Sequence, residues 1–448
     1  VETQLSLFSS NRKIYNPQTQ YRVCVGGEKD SGAKMMEKET ALFEGLLKKD
    51  SIYKERSVLL SDFVPDRLPH REQEINIMAS TLVEVLRDKK KRTSNILCFG
   101  KTGTGKTAVA KYLCNQLSET GKKHNLSITP LYIRKVPSEA ALYADIGNYI
   151  EPNQTIPDRG IPTEKIFERM RKTIENKNTG VVLIIDEIDN ACEKYTDNFL
   201  YNLTRINTDL KQSSLCLIGI TNDLKFGEHL DSRIKSSMHA DEIIFPPYNA
   251  AQLQDILIQR AELAFNKDAV DVPVIPLCAA LAAQEYGDAR RAFELLRTAG
   301  DVAVREENEK VREEHVRKAQ NKIEYDKMSE AIRTLPAQSK MVLISVLLGK
   351  ENGKDALTTG EVYDIYKSIA EKTGMSPLTQ RRIADLISEL DMLGIINARL
   401  ISYGRGGRTR EITTAVPVQN TKEILLQDET FHVLRDYKPM RGRNARLL

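Results

Sequence analysis

Gly100-Lys-Thr-Gly-Thr-Gly-Lys106-Thr107 satisfies the pattern G-x-x-x-x-G-K-[ST], and no other segment restricts the fold of this chain as tightly. Such a loop works only between a strand and a helix, because the glycines let backbone N–H groups curl around a β-phosphate while the positive end of the following helix faces it. The flanks comply: Asn95-Ile-Leu-Cys-Phe99 reads as a short buried strand and Ala108–Glu119 as a helix. Gly100, Lys101, Thr102, Gly103, Thr104, Gly105 and Ala108 then form the cradle. Lys106 reaches the β- and γ-phosphates, and the Thr107 hydroxyl ligates Mg²⁺.

Apolar runs of about five residues alternate with helical patterns on both sides of this loop, which predicts a parallel sheet covered on both faces. The runs are Leu131-Tyr-Ile, Val181-Val-Leu-Ile-Ile, Leu215–Ile220 and Ile243-Ile-Phe, with helices over Glu72–Lys90 and Thr163–Asn176. The second run ends in Asp186-Glu187. Asp186 at a strand tip can hold Mg²⁺ and Glu187 can polarise a water for attack on a γ-phosphate, although a solvated Asp-Glu pair after a strand is common. Asn222 follows the third run and either orients that water or forms an Asx-turn. Arg233, on a short exposed turn, either acts as a finger on a neighbour's γ-phosphate or makes a surface salt bridge. Asp189 reads as a helix N-cap.

Pro246-Pro247 ends the sheet region, and segments 249–265, 273–286, 288–308 and 311–326 read as helices. Gly287-Asp-Ala-Arg290 opens one of them, so Arg290 can swing over the phosphates. Helices are next expected at 328–349, 358–373 and 378–393, then two strands flanking the tip Tyr403-Gly-Arg-Gly-Gly-Arg408, which describes a winged helix-turn-helix. In that fold Gln380, Arg381 and Arg382 open the helix that enters a major groove, and Arg405, Arg408 and Arg410 lie on the wing. Arg399 and the basic tail from Arg435 to Arg446 add to this surface. Protein contact is the other common use of such a module. The expected division is an N-terminal extension (1–56, partly disordered, with a helix near 37–49), an α/β phosphate-loop base (57–247), a helical lid (248–326) and a winged-helix domain with a basic tail (327–448).

Composition excludes several classes. The 448 residues carry 66 Lys+Arg against 62 Asp+Glu, a net charge of +4 that points to no partner until its placement is read. Acids in the lid, such as Arg305-Glu-Glu-Asn-Glu, offset arginines gathered at the C-terminal end. No apolar run approaches the roughly 18 residues of a membrane span, and the first residues, VETQLSLFSSNRK, show no signal-peptide core. The six cysteines have no metal-site or CxxC spacing, which suits reduced, mostly buried thiols in a cytoplasmic protein.

Taken in order, the phosphate loop, Asp-Glu strand, strand-terminal Asn, late Arg and Gly-x-x-Arg of the lid resemble an AAA+ ATPase. Finer segments resemble the archaeal-type replication initiators related to the origin recognition complex and the cell-division-control loader. These are Asp66-Arg-Leu-Pro-His-Arg-Glu72, Leu230-Asp-Ser-Arg-Ile-Lys-Ser-Ser237, Ile244-Phe-Pro-Pro-Tyr-Asn-Ala250, Gly287-Asp-Ala-Arg-Arg-Ala292 and Leu378-Thr-Gln-Arg-Arg382 with Leu390-Asp-Met-Leu-Gly394. The likeness covers roughly residues 57–415. It implies that Asn222 is sensor 1, Arg233 the arginine finger and Arg290 sensor 2. His70 and Arg71 (within Leu68–Glu72) and Tyr248 would wall the adenine pocket, and Arg260 would contact nucleotide from the lid. Family members carry a helical insertion that meets DNA, here about 138–162, and the stretch Arg134–Glu151 departs from the family's usual sequence. The resemblance further implies ATP/ADP and Mg²⁺ as cofactors, slow hydrolysis, double-stranded origin DNA, the replicative minichromosome maintenance helicase and other initiator copies as partners, and residence at the chromosome. A nucleotide-bound regulator of transcription with little hydrolysis is the competing reading. A clamp-loader or helicase-like motor fits less well, since no zinc ribbon or collar domain is visible.

Overall fold

A computed structural model of the chain describes residues 52–87, 94–195, 197–402, 408–435 and 437. The helix expected near 37–49, the extension up to residue 51, Cys24, Arg405 and nearly all of the basic tail lie outside the described residues.

The base begins with α1 (Glu72–Arg87), followed by β1 (Asn95–Phe99), α2 (Lys106–Lys123), β2 (Ile128–Ile133), α3 (Glu139–Ile150), α4 (Thr163–Lys177) and β3 (Gly180–Asp186). It continues through α5 (Ile188–Tyr195), α6 (Asn198–Arg205), β4 (Ser214–Thr221), α7 (Phe226–His229), α8 (Ser232–Met238) and β5 (Ala240–Ile244). The five strands are parallel in the order β2-β3-β4-β1-β5. β1, β3 and β4 are buried along nearly their whole length, which is why they read as unbroken apolar runs rather than alternating ones. Asp186 and Cys98 both stand level with Ile220 of β4. The carboxyl ends of β1, β3 and β4 therefore open together, at the edge where open α/β sheets bind ligands.

Arg233 lies in the first turn of α8 rather than on a bare turn, because the Asp231 carboxylate accepts the Arg233 N–H at 2.8 Å and caps the helix. The region 138–162 holds α3, started by Ser138, whose hydroxyl accepts from Ala141 N at 3.1 Å. Its residues Leu142, Tyr143, Ile146 and Ile150 are buried against α4 and the sheet, and exposure falls on Asp145, Tyr149 and most of the 151–160 connection, which Ile156 anchors in the core.

The lid contains α9 (Ala250–Ala264), α10 (Val274–Gln284), α11 (Ala289–Arg305) and α12 (Glu313–Thr334). A capping box of Asn249 and Gln252 opens α9. The segment expected to be the end of the N-terminal extension is built into this unit. Ile52, Val58 and Leu59 are fully buried in the lid core, and Lys54 and Glu55 N–H groups bond to Ala264 O. Tyr53 stacks on Phe265 and donates to Arg297 O at 2.8 Å. The lid is thus assembled from two stretches of chain that flank the base.

A helix break was expected at 327, and there is none. Between Asp326 and Thr334 no Pro or Gly interrupts the chain, so α12 runs on until Leu335-Pro336 ends it. Ile323 on this helix packs in the lid core, while Tyr325, Met328 and Ile332 belong to the next core. One helix is shared by two hydrophobic units.

The last unit holds α13 (Ala337–Glu351), β6 (Leu357–Thr358), α14 (Thr359–Thr373), α15 (Gln380–Met392), β7 (Ile396–Ser402), β8 (Arg408–Thr414) and α16 (Val418–Leu425). Its three strands are antiparallel in the order β6-β8-β7, and the helices and hairpin form a winged helix. The helix α16 was not anticipated. Its buried Thr421, Ile424 and Leu425 cover the core beside α13.

Candidate nucleotide site and nucleic-acid surface

The chain turns out of β1 at Gly100 with φ of 150° and takes left-handed conformations at Gly103 (69°) and Gly105 (92°). Side chains rarely adopt these angles, and the space is also closed to them. A Cβ on Gly105 would lie 2.7 Å from the Tyr248 hydroxyl, and one on Gly103 would lie 1.7 Å from Asp288 Oδ1. Inside this turn the Lys106 ammonium donates to Gly100 O and Lys101 O, both at 2.8 Å, and to Asn222 Oδ1 at 3.1 Å. Burial pushes Lys106 down to about 8, against the pull of the nearby Asp186 carboxylate.

Asn222 does not form the local turn. Thr221 Oγ1 accepts the Asp223 N–H at 3.0 Å instead, which leaves the amide to meet Lys106. Thr107 donates to Asp186 Oδ2 at 2.9 Å, and Asp186 Oδ1 accepts the Glu187 N–H at 3.1 Å. Glu187 is exposed and left-handed, with φ of 54°; its carboxylate accepts from Asn190 at 3.1 Å. A non-glycine residue held there costs on the order of 1–3 kcal/mol and turns up where geometry matters more than relaxation. Asp189 is the second residue of α5, not its cap.

Thr102 through Ala108, Asp186, Glu187, Asn222, Arg260 and Arg290 line one cleft, together with Ser61–Val64, Lys111, Tyr132, Arg134, Ala289 and Phe293. The lid meets the phosphate loop directly. Asp288 caps α11 through the Arg290 N–H at 2.7 Å, the Ala289 N–H donates to Gly103 O at 3.2 Å, and the Thr102 hydroxyl donates to Asp288 at 3.4 Å. Lys101 sits 4.7 Å from the ring centre of Tyr286. The Arg260 guanidinium lies between Phe63 and Phe293, 4.7 and 4.8 Å from their ring centres, and donates to Val58 O and Phe63 O. Burial lowers it to about 10, which leaves it charged at neutral pH.

Arg71 and Tyr248 stand behind the cleft rather than in its lining. Arg71 is buried, with Nε on Thr104 O at 2.9 Å, Nη2 on Pro246 O at 2.6 Å and its guanidinium 3.9 Å from the Tyr248 ring centre. It ties the phosphate loop to the base–lid hinge. His70, left-handed at φ 62°, pairs with Asp255 of α9 at 2.8 Å, outside the cleft lining. Arg233 is not brought to this cleft either. Its side chain is 79% exposed, chelated by Asp231 at 3.1 and 3.2 Å, beside a separate groove shared with Arg205 and several hydroxyls.

The donors that would hold Mg²⁺ are a hydroxyl and a carboxylate, which suits a hard cation that keeps most of its waters and takes few protein oxygens. Among the described residues no cluster of three or more His, Cys, Asp or Glu competes for a metal. The described cysteines are free, and burial pushes their thiols up, Cys98 to about 12.

On the winged helix, Thr379 caps α15, and Gln380, Arg381 and Arg382 are exposed opposite the buried Ile383, Leu386, Ile387 and Leu390. Arg382 faces Glu389 at 3.5 Å. Arg408 starts β8. Arg410 is not free on the wing: its Nη1 donates to Ala384 O at 2.9 Å and to Ser388 Oγ at 2.5 Å, so it braces the hairpin against α15. Among the described residues no helix is long and apolar enough to cross a membrane.

Sequence patterns alone did not single out Tyr132, Lys111, Arg134, Phe63 or Phe293. Tyr132, Lys111 and Phe293 lie in ordinary strand or helix stretches and Phe63 and Arg134 in loops, and only the three-dimensional arrangement turns them to the cleft.

Three family models match in chain order: an AAA domain over residues 88–225, a Cdc6 AAA+ ATPase-type lid domain over 254–321 and a CDC6 C-terminal winged helix domain over 330–424. The ORC1-type DNA replication protein 1 of Methanosarcina acetivorans is 47% identical over 401 residues, covering 89% of this chain and 96% of that protein. The ORC1-type DNA replication protein of Pyrococcus furiosus is 47% identical over 397 residues, covering 88% and 94%. Among solved structures, the Aeropyrum pernix ORC1 protein in complex with DNA superposes with a TM-score of 0.69 at 41% identity, over 86% of this chain and 99% of that one. With phosphate loop, lid and winged helix in the same order and near-complete coverage of these relatives, the chain belongs to the ORC1/Cdc6 family of archaeal-type AAA+ replication initiators.

Proposed function

We propose that the protein binds origin DNA as an ATP-dependent initiator, uses slow hydrolysis to end the active state, and brings the replicative minichromosome maintenance helicase to the origin. The observation that supports this most is the docking of the lid on the phosphate loop, where Ala289 and Asp288 touch Gly103 and Thr102. A nucleotide bound in that loop lies at the base–lid junction, so its presence sets how the two parts sit. The lid's last helix α12 continues into the winged-helix core, which gives lid movement a stiff connection to the DNA reader. The roles of the chain's own groups follow. Lys106 and the loop N–H groups neutralise and hold the phosphates, and Asn222 positions Lys106. Glu187 polarises the attacking water, and Arg290 adds positive charge from the lid. Thr107 and Asp186 would hold Mg²⁺, which would supply charge neutralisation at the phosphates. Arg233 is the residue we assign to a neighbouring copy on DNA, a reading supported by its exposure and its distance from its own cleft. Slow turnover fits a switch, because the side-chain constellation is spread over base, lid and a second copy.

DNA binding rests on exposed Gln380, Arg381 and Arg382 at the start of α15 and on the named partner of the Aeropyrum relative. Duplex affinity measured at stepped salt tests it. About six phosphate contacts give a slope of log K against log salt near −5, and a slope near zero overturns the reading. Footprinting of bound genomic sites separates an initiator from a transcription regulator: sites at origins support this proposal and sites at promoters oppose it.

A further inference from the structure

Tyr132 stands near the end of β2, level with Ile184 of β3, and its hydroxyl donates to Asp186 Oδ2 at 2.9 Å. That oxygen is the one that accepts the Thr107 hydroxyl, also at 2.9 Å. The other carboxylate oxygen is held by the Glu187 N–H. Lys111, one turn along α2 from Thr107, places its ammonium 4.0 Å from the centre of the Tyr132 ring. Phenol, cation and carboxylate all lie in the lining of the nucleotide cleft.

We propose that Tyr132 is a positioning residue of the Mg²⁺–nucleotide site: its hydroxyl fixes the Asp186 carboxylate where that group and Thr107 together present oxygens to the cation. This rests on the nucleotide reading given above. The chemistry of the donors favours it. Thr107 has one proton and directs it to Asp186, so both hydroxyl lone pairs stay available to a metal. Asp186 without Tyr132 would keep only one side-chain donor on Oδ2 and could rotate away from the strand tip. The Lys111 ammonium over the ring face holds the ring plane by a cation–π contact. Hydrogen bonds that orient metal ligands from behind are commonly worth about 10- to 100-fold in metal affinity.

Binding of a fluorescent ATP analogue to the full chain, titrated with Mg²⁺ and repeated in EDTA, tests this with no need for turnover. Tyr132→Phe keeps the ring and its contact with Lys111 but removes the hydroxyl. The expected result is that Tyr132→Phe needs about tenfold more Mg²⁺ than the wild type for the half-maximal effect, while its affinity in EDTA is unchanged. Asp186→Asn is expected to remove the Mg²⁺ effect. A Tyr132→Phe titration that overlays the wild type while Asp186→Asn differs overturns the positioning role alone. An equal loss in EDTA overturns it too, by showing a merely structural contribution. If Mg²⁺ changes nothing in the wild type, or Asp186→Asn behaves as the wild type, the metal site itself is misplaced and the proposal falls with it.

Discussion

The Lys106 ammonium and the Asn222 side-chain oxygen lie 3.1 Å apart, linking the phosphate loop to the tip of β4 across 116 residues of sequence. The amide accepts one of the three ammonium protons, and two loop carbonyls take the others. A phosphate entering the loop therefore competes with backbone oxygens, while Asn222 keeps the ammonium aimed along the strand tips. Lys106→Ala is expected to abolish ATP binding. Asn222→Ala should leave binding within a few-fold and lower the hydrolysis rate by roughly 10²-fold or more, as loss of a group that acts chiefly in the transition state does. Equilibrium binding and single-turnover hydrolysis give both numbers, and an Asn222→Ala variant with wild-type turnover removes the amide from the mechanism.

The same ammonium predicts a pH dependence. Its value in the ligand-free protein is lowered to about 8 by burial, and a bound polyphosphate favours the charged form, which raises it again. Binding then takes up a proton wherever the free lysine is neutral. Affinity for ATP should be level below about pH 8. Above it, affinity should fall by up to about tenfold per pH unit until the bound lysine also titrates. Calorimetry in buffers of different ionisation enthalpy reads the proton uptake, and a flat profile through pH 9.5 contradicts the placement of Lys106.

Glu187 combines exposure with a left-handed backbone, and its own N–H is bonded to Asp186 Oδ1. The turn is set by the aspartate, which frees the glutamate side chain to face the cleft. Glu187→Gln is expected to bind ATP as the wild type does and to hydrolyse it at least about a hundredfold more slowly, within the usual range for a removed general base. Unchanged turnover in this variant refutes the assignment.

Much of this was legible in the chain because short motifs and buried strands leave strong signals. The loop from Gly100 to Thr107 and the runs ending at Asp186 and Asn222 could be placed by pattern, since all-apolar strands of a parallel sheet leave little ambiguity. The residues that pattern missed act through tertiary contact. Ile52, Val58 and Leu59 lie in a polar stretch with no clear period, and only their packing on α9 and α11 makes them part of the lid. Tyr132 looks like one more apolar strand residue until β2 pairs with β3. Helix α12 crosses the boundary expected at 326/327 as continuous helix, because Ile323 packs in one core and Ile332 in the next, which only tertiary packing reveals.

The buried strap at the start of the lid carries a stability prediction. Leu59 is 1% exposed in the lid core, and its neighbours Ser61–Val64 line the cleft. Leu59→Ala should cost about 2–5 kcal/mol, as for other large-to-small changes at fully buried sites. It should also weaken nucleotide binding, because Phe63 would lose its fixed approach to Arg260. Bound ATP should recover part of the lost melting temperature. A variant with normal stability but weakened binding would mean that the strap serves the cleft without supporting the core.

The two arginines Arg381 and Arg410 should separate contact from support on the winged helix. Arg381 is exposed at the start of α15, whereas Arg410 spends its guanidinium on Ala384 O and Ser388 of the same helix. Arg381→Ala is expected to lower the magnitude of the salt slope of DNA binding by about 1, with thermal stability unchanged. Arg410→Ala should leave the slope alone but loosen the hairpin, seen as faster amide exchange along β7 and β8. Lysine at 410 should rescue the exchange in part, since both bonds come from the one nitrogen Nη1 and an ammonium that reaches the same place can donate to both acceptors. If Arg410→Ala instead lowers the slope by about 1 with exchange unaltered, the guanidinium leaves α15 on binding and contacts phosphate itself.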